Sequence, residues 1–244
     1  MPLSIIIPTL NEEAALPATL ASVAALNPPP QEIIVADAGS DDRTVEIARA
    51  AGVQVLTGLA PGRAGQMNAG ARKAAGDQLC FLHADTEVPP DFVDLVAEVL
   101  RDHDTGLAGF ISVMRGTRGV RRITTAHNFI KTWYAPLLFR TFSFFRGARL
   151  LFGDQVIVCR KADFEAVGGW DPRQKIMEEA DMCLRIVRGG FGRVRQVPRK
   201  VWSSDRRVAE WGFWRANLTY LYVGLMWGFG AKPDRLSQHY EDVR

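Results

Sequence analysis

Several features are scarce in this chain, and each scarcity removes a class of protein. Cysteine occurs three times, at Cys80, Cys159 and Cys183, with no C-x-x-C pair. That excludes a disulfide framework or a zinc site and reads as reduced thiols in a cytoplasmic protein. No uninterrupted apolar run reaches the roughly 18 residues of a membrane-spanning helix. The nearest stretch, residues 218–231, is too short, and Arg215 and Asn217 lie just before it. Neither G-x-G-x-x-G nor G-x-x-x-x-G-K-[ST] occurs, which counts against a dehydrogenase or a phosphate-loop NTPase. A net charge of +3 is too small to point to nucleic acid. The amino terminus has no basic leader and no cleavage site and enters a strand at once, so export is not expected. Acids are missing from one long stretch: from Arg115 to Arg149 there are eight basic residues and no Asp or Glu.

What is present is ordinary globular composition, 47% hydrophobic and 23% charged over 244 residues. Within it stand three short polar blocks: Pro8-Thr9-Leu10-Asn11-Glu12, Asp37-Ala38-Gly39-Ser40-Asp41-Asp42 and His83-Ala84-Asp85. Each follows an apolar run, at residues 3–7, 33–36 and 79–82. Acids at the carboxyl ends of successive buried strands mark the ligand crevice of an open α/β sheet. Strands at 3–7, 32–36, 53–56 and 78–82 alternate with helices from Pro17 to about 26, 42–51 (stopped by Gly52), 62–75 and 91–101, which implies parallel strands. Further strands are expected at 107–113, 155–159 and 194–202, with helices at 178–187 and 211–227. We expect one domain, residues 1–244, with a nucleotide-binding half up to residue 104 and an acceptor-binding half from 105.

Each block admits a functional and a plainer reading. Asp37 can accept an N–H of a base or a ribose hydroxyl, with Gly39 permitting close backbone approach, while Ser40 or Asp41 caps the next helix. The segment Gly62-Arg63-Ala64-Gly65-Gln66-Met67-Asn68-Ala69-Gly70 puts small residues and one arginine at a helix start, which suits a diphosphate. His83 and Asp85 lie two apart and can face one side; such a pair suits Mn2+ better than Mg2+. The plainer reading is a packed histidine and a turn residue. Glu178, Glu179 and Asp181 open a helix just after Gly168-Gly169-Trp170-Asp171, where a general base or simple helix-start acids both fit.

Taken in order, P-T-L-N-E, D-A-G-S-D-D-R-T, G-R-A-G-Q-M-N-A-G, F-L-H-A-D, G-G-W-D and E-E-A-D-M-C-L-R resemble glycosyltransferase family 2 over about residues 3–207. With Trp202-Ser203-Ser204-Asp205-Arg206-Arg207, the wording is similar to a bacterial radical-SAM/selenodomain-associated, arsenosugar-biosynthesis-type subgroup. The resemblance implies a GT-A fold: an α/β, mostly parallel Rossmann-like sheet flanked by helices, with C-terminal acceptor-side helices. It implies an inverting, hexosyl-type transfer from a nucleotide-diphosphate sugar, UDP-linked, with a divalent metal, Mn2+ or Mg2+. By position, Pro8, Thr9 and Glu12 line the nucleoside pocket and Asp37 recognises the base. Asp85 matches the second acid of the family's D-x-D motif, and Glu179 the catalytic base. Two positions depart from the pattern: His83 stands where the first D-x-D acid would be, and Glu179 where Asp is usual.

The expected reaction has Asp85 and His83 holding metal on the diphosphate, Glu179 taking the acceptor proton and Asp181 with Arg185 supporting that helix start. Gly39, Arg63, Asn68, Arg206 and Arg207 complete the donor site. The acceptor is a hydroxyl on a small molecule or a lipid-linked carrier. Two rivals remain. A sugar nucleotidyltransferase would need a G-x-G-T-R-like loop, yet residues 8–13 contain no glycine. A catalytically weak nucleotide-sugar binder would show no donor hydrolysis. The acid-free stretch interleaves aromatics with arginines, which suits contact with an anionic membrane at its inner face. The alternative is a helix pair whose aromatics pack onto the sheet, and Phe142, Phe144 and Phe145 are too closely spaced to share one helical face.

Overall fold

The structure is a computed structural model and describes residues 1–116 and 119–238, with the backbone alone at 234; Arg118 of the basic stretch lies outside them. The first half runs β1 (Leu3–Thr9), α1 (Leu16–Ala24), β2 (Glu32–Asp37), α2 (Thr44–Ala50), β3 (Gln54–Leu56), α3 (Arg63–Lys73), β4 (Gln78–Phe81), β5 (Thr86–Glu87) and α4 (Phe92–Arg101). The second half runs β6 (Thr105–Gly116), β7 (Gly119–Val120), α5 (Arg122–Phe139), α6 (Thr141–Phe145), a 3-10 turn (Gly153–Gln155), β8 (Ile157–Arg160), α7 (Lys161–Ala166), α8 (Glu178–Arg188), β9 (Arg193–Ser204), α9 (Arg206–Trp211), α10 (Phe213–Gly228) and α11 (Pro233–Ser237). One mixed sheet joins them in the order β3-β2-β1-β4-β8-β6-β9-β5, with β7 on β6.

The parallel block β3-β2-β1-β4 follows from its β-branched runs, buried on both faces. Along β1, alternation sends Ile5 and Ile7 to the side of α1 and α4, with Leu16, Leu20, Phe92 and Val96, while Ile6 faces α3 and α8, with Met67 and Ala71. Each of these isoleucines is fully buried, and each contributes roughly 1.5–3 kcal/mol. Gly70 is required where α3 crosses β1, because a Cβ there would run into the Ile6 side chain.

Three expectations are corrected. Neither Ser40 nor Asp41 caps α2; Asp42 accepts the Thr44 N–H, while Ser40 accepts from the Asn11 N–H and the Asp41 N–H donates to Asn11 Oδ1. The helix expected at 211–227 starts two residues later, as α10, because Gly212 at φ +81° breaks the helical path and leaves Trp211 at the end of α9. Most aromatics of the acid-free stretch do not pack onto the sheet: Phe129, Phe142 and Phe145 are exposed, while Trp133, itself partly exposed, donates to Gln196 of β9.

Candidate active site

The carboxyl ends of β1 and β4, the turn before β8, the start of α8 and the inner faces of α5 and α10 enclose a cavity of about 480 Å³, a size suited to a ligand site. Its floor is where the polar blocks meet. β8 runs antiparallel to β4, pairing Phe81 with Ile157. The amino end of β8 therefore lies at the edge where β4 ends, and Gly153-Asp154-Gln155 arrive beside His83.

Glu179, at the first turn of α8, is buried and aims Oε1 at His83 Nε2, 3.7 Å away. Neither atom has a hydrogen-bond partner. Gly153 closes over the pair: a Cβ on it would stand 2.7 Å from Glu179 Oε1 and closer still to the imidazole. The neighbouring Glu178 turns away and pairs with Arg63 Nε at 2.9 Å. Their environments drive the two carboxyls apart. Burial pushes Glu178 up to about 7, against the pull of Arg63. Burial also pushes Glu179 up, but the His83 ring and the Arg63 charge outweigh it and hold the group below the ordinary value. Glu179 therefore presents Oε1 on the cavity floor with no hydrogen-bond donor on it.

On the other wall Arg206 is clamped by two acids. It donates to Glu12 through both terminal nitrogens, at 2.6 and 2.8 Å, and its Nε lies 3.3 Å from Asp85 Oδ2. Pro8, Thr9, Glu12, Arg63, His83, Asp85, Glu179, Arg206 and Arg207 all line the cavity. The remaining expected residues do not. Asp37 is buried and spends its carboxylate on the Thr9 hydroxyl, the Gly39 and Ser40 N–H groups and the Ser40 hydroxyl. It therefore fixes the 37–40 turn, in which Gly39 has φ +85°. Asn68 brackets the Trp170 backbone, donating to its carbonyl at 2.8 Å and accepting its N–H at 2.9 Å. Asp181 accepts from Arg185 at 2.7 Å on the outer side of α8.

The residue types that would hold a divalent ion are present, though sparse. Among the described residues no three His, Cys, Asp or Glu side chains converge on one point. Asp85 and the partnerless His83 nitrogen both reach the cavity, and a metal held by one or two protein groups and completed by substrate phosphates fits that pair.

Sequence reasoning missed the lining contributed by α5 and the turn before β8. Lys131 on α5 stands with Nζ 3.8 Å above the Phe152 ring. Burial pushes its pKa down, opposed by Asp154 and Glu179. Asp154 accepts from Asn128 at 2.7 Å, and His127 Nε2 lies 3.1 Å from the Tyr134 hydroxyl. The available signal was a Gly-acid-amide triplet directly before a strand. Backbone strain marks the same place. Among the described residues, the non-glycine residues at positive φ are Asn11, Val156 and Met177, at 56°, 52° and 63°. They adjoin Glu12, the Gly153 turn and Glu178, and such conformations persist where surrounding structure enforces them, often at sites of chemistry.

Comparison with known proteins agrees with this architecture. The family described as Glycosyl transferase family 2 matches residues 4–167. A PGL/p-HBAD biosynthesis glycosyltransferase of Mycobacterium tuberculosis is 30% identical over 194 residues, 75% of this chain and 68% of that protein. The mannosyltransferase PcManGT from Pyrobaculum calidifontis, solved with GDP-Man and Mn2+, superposes with a TM-score of 0.67 at 16% identity, over 99% of this chain and 65% of that one. Glucosyl-3-phosphoglycerate synthase from M. tuberculosis, solved with Mn2+, UDP and phosphoglyceric acid, gives 0.62 at 22% identity, over 94% and 78%. At those identities the structural likeness shows the fold, which is GT-A.

Proposed function

The chain belongs to glycosyl transferase family 2 and is a glycosyltransferase, and from that premise we propose an inverting, metal-assisted transfer of a hexosyl group from a UDP-linked sugar to an acceptor hydroxyl. The observation that carries the reading is Glu179, buried on the cavity floor with Oε1 3.7 Å from His83 Nε2. The acceptor oxygen attacks the anomeric carbon from the face opposite the diphosphate. As that bond forms, the bond from the anomeric carbon to the phosphate oxygen breaks, the nucleoside diphosphate departs with the electron pair, and the hydroxyl proton passes to Glu179. Residues 1–104 supply the donor half and 105–244 the acceptor half.

Arg63, at the start of α3, and Arg206 with Arg207 offer positive charge to the diphosphate, and Pro8, Thr9 and Glu12 offer the nucleoside wall. Asp85 and His83 would hold Mn2+ or Mg2+, whose chemistry is to neutralise charge developing on the leaving group. The bound UDP and Mn2+ of the synthase neighbour support this donor and metal class. Asp37, Gly39 and Asn68 act by shaping the loops beneath the site. The acceptor hydroxyl sits under α5, within reach of Glu179, on a small molecule or a lipid-linked carrier. We place the protein in the cytoplasm at the inner face of a membrane, a reading supported by three free, buried cysteines and by the exposed apolar helices of the acceptor half. The G-R-A-G-Q-M-N-A-G and F-L-H-A-D wording supports the arsenosugar-biosynthesis-type subgroup.

The test is Glu179→Gln. Calorimetry with UDP should show unchanged donor binding, while turnover of the UDP-sugar, followed as UDP release, falls by roughly two to four orders of magnitude. Undiminished turnover refutes the assignment.

A further inference from the structure

Helix α5 is built inside out. Its buried residues are Thr124, Asn128, Thr132 and Pro136, a stripe at four-residue spacing. The first three carry polar groups, and Asn128 and Thr132 are tied to the Gly153–Gln155 turn. Its exposed residues include Ile123, Phe129, Ile130, Trp133, Leu137 and Leu138. A helix at home against a protein core in water shows the reverse arrangement. Helices α6 and α10 continue the pattern: Phe142 is 77%, Phe145 78% and Trp214 75% exposed, and Phe229 just beyond α10 is 76% exposed. These helices form one layer. The Phe139 and Phe229 rings meet at 5.1 Å, and Arg140 donates to the Gly228 carbonyl at 3.0 Å. Exposed apolar surface on this scale marks an interaction site.

Charge identifies the partner. All 27 acidic residues of the chain lie outside residues 115–149 and 211–232; of the ten Lys or Arg in those segments, Arg115 and Arg121 pair with Glu87 and Asp205 and Lys131 lines the cavity. Arg122, Arg146 and Arg215 are exposed among the apolar side chains. A second copy meeting the layer by two-fold symmetry would set this cationic surface against itself. Aromatic side chains interleaved with snorkelling arginines match the headgroup zone of a bilayer.

We propose that α5, α6 and α10 form the surface by which this protein docks on an anionic lipid bilayer. The inner faces of α5 and α10 line the cavity, so docking sets the acceptor side of the site at headgroup level. The docking does not depend on the transfer reading and holds whether or not the acceptor is itself a lipid.

Co-sedimentation of the full chain with vesicles tests it, using phosphatidylcholine alone and phosphatidylcholine mixed with phosphatidylglycerol. The expected result is binding to the mixed vesicles at low ionic strength, weakened as salt rises. Phe142→Ser with Phe145→Ser should lower the partition coefficient about tenfold or more, from the apolar burial lost, and Arg146→Glu should lower binding in the same direction. The phenylalanines are more than three-quarters exposed, so the double variant should keep the wild-type melting temperature and UDP affinity. A chain that stays in the supernatant with anionic vesicles overturns the proposal, as does binding indifferent to the Phe pair. A dimer by light scattering that the Phe pair disrupts, with no lipid binding, would assign the layer to a second copy instead.

Discussion

Replacing Gly153 by alanine adds one methyl at the most crowded point of the cavity floor. The backbone there is one any residue can adopt, so the effect is steric alone. The new Cβ would lie 2.7 Å from Glu179 Oε1 and closer to the His83 ring, where ordinary contact begins at 3.4 Å. The imidazole and the carboxylate must therefore separate, the ring by on the order of 1 Å. Both are held from behind: Glu179 by the first turn of α8, His83 by the end of β4. Overpacking of this kind costs roughly 1–3 kcal/mol, which in a chain of this length lowers the melting temperature by about 2–12 °C.

Catalysis should suffer more than stability. A displacement of about 1 Å in a positioned group costs on the order of 10²-fold in rate, whereas the proposed UDP contacts of Glu12 and Arg206 are not among the groups a Cβ at Gly153 would meet. Steady-state kinetics of donor turnover should show kcat falling about a hundredfold with little change in the donor KM. Adding His83→Ala should recover part of the lost melting temperature, since the ring is the larger obstacle, without recovering kcat. If Gly153→Ala retains wild-type kcat and melting temperature, the His83–Glu179 pair is not the reacting centre.

The metal assignment predicts that calorimetry with UDP shows tighter binding with Mn2+ than in EDTA, an advantage Asp85→Asn removes. His83→Asp should keep the advantage and shift preference toward Mg2+; equal affinity with and without metal would overturn the assignment. Glu178 predicts a pH dependence of stability. Its folded pKa of about 7 lies above the ordinary 4.5, so its contribution is intact below pH 4.5 and is lost as pH rises through 7. Glu178→Gln abolishes that loss, so its melting temperature should gain on wild type between pH 5 and pH 8, by on the order of 1–3 kcal/mol in stability. A gap that stays constant with pH would show that Glu178 is ionised throughout.

The first half was legible because parallel strands and their crossovers write themselves locally: an apolar run, a polar strand end, a helix stopped by glycine. That rule placed Glu12, His83 and Asp85 at the crevice. It missed Gly153 and Asp154 because it looks for chemistry after a strand, and β8 alone among the floor strands enters the crevice with its start. Strand direction is set by pairing with β4 and β6, which no local pattern carries. Asp37, Asn68 and Asp181 show a different limit. Their side-chain chemistry suits a ligand, but their hydrogen bonds go to neighbouring groups, and only the fold decides where a polar group is satisfied. The same holds for α5, whose sequence has a polar stripe and an apolar stripe and does not state which faces inward.

Glu178 and Glu179 show how little separates the proposed base from a structural acid. Adjacent residues on a helix point about 100° apart, so one carboxylate at the start of α8 meets Arg63 and the other meets His83. Met177, held at φ 63° as the residue before the helix, sets the rotation at which α8 begins. A shift of one residue in that start would exchange the two environments. It would set Glu178 beside His83 and Glu179 beside Arg63, and the carboxyl on the cavity floor would belong to the other residue. The strained Met177 is therefore as much a part of the assignment as either glutamate.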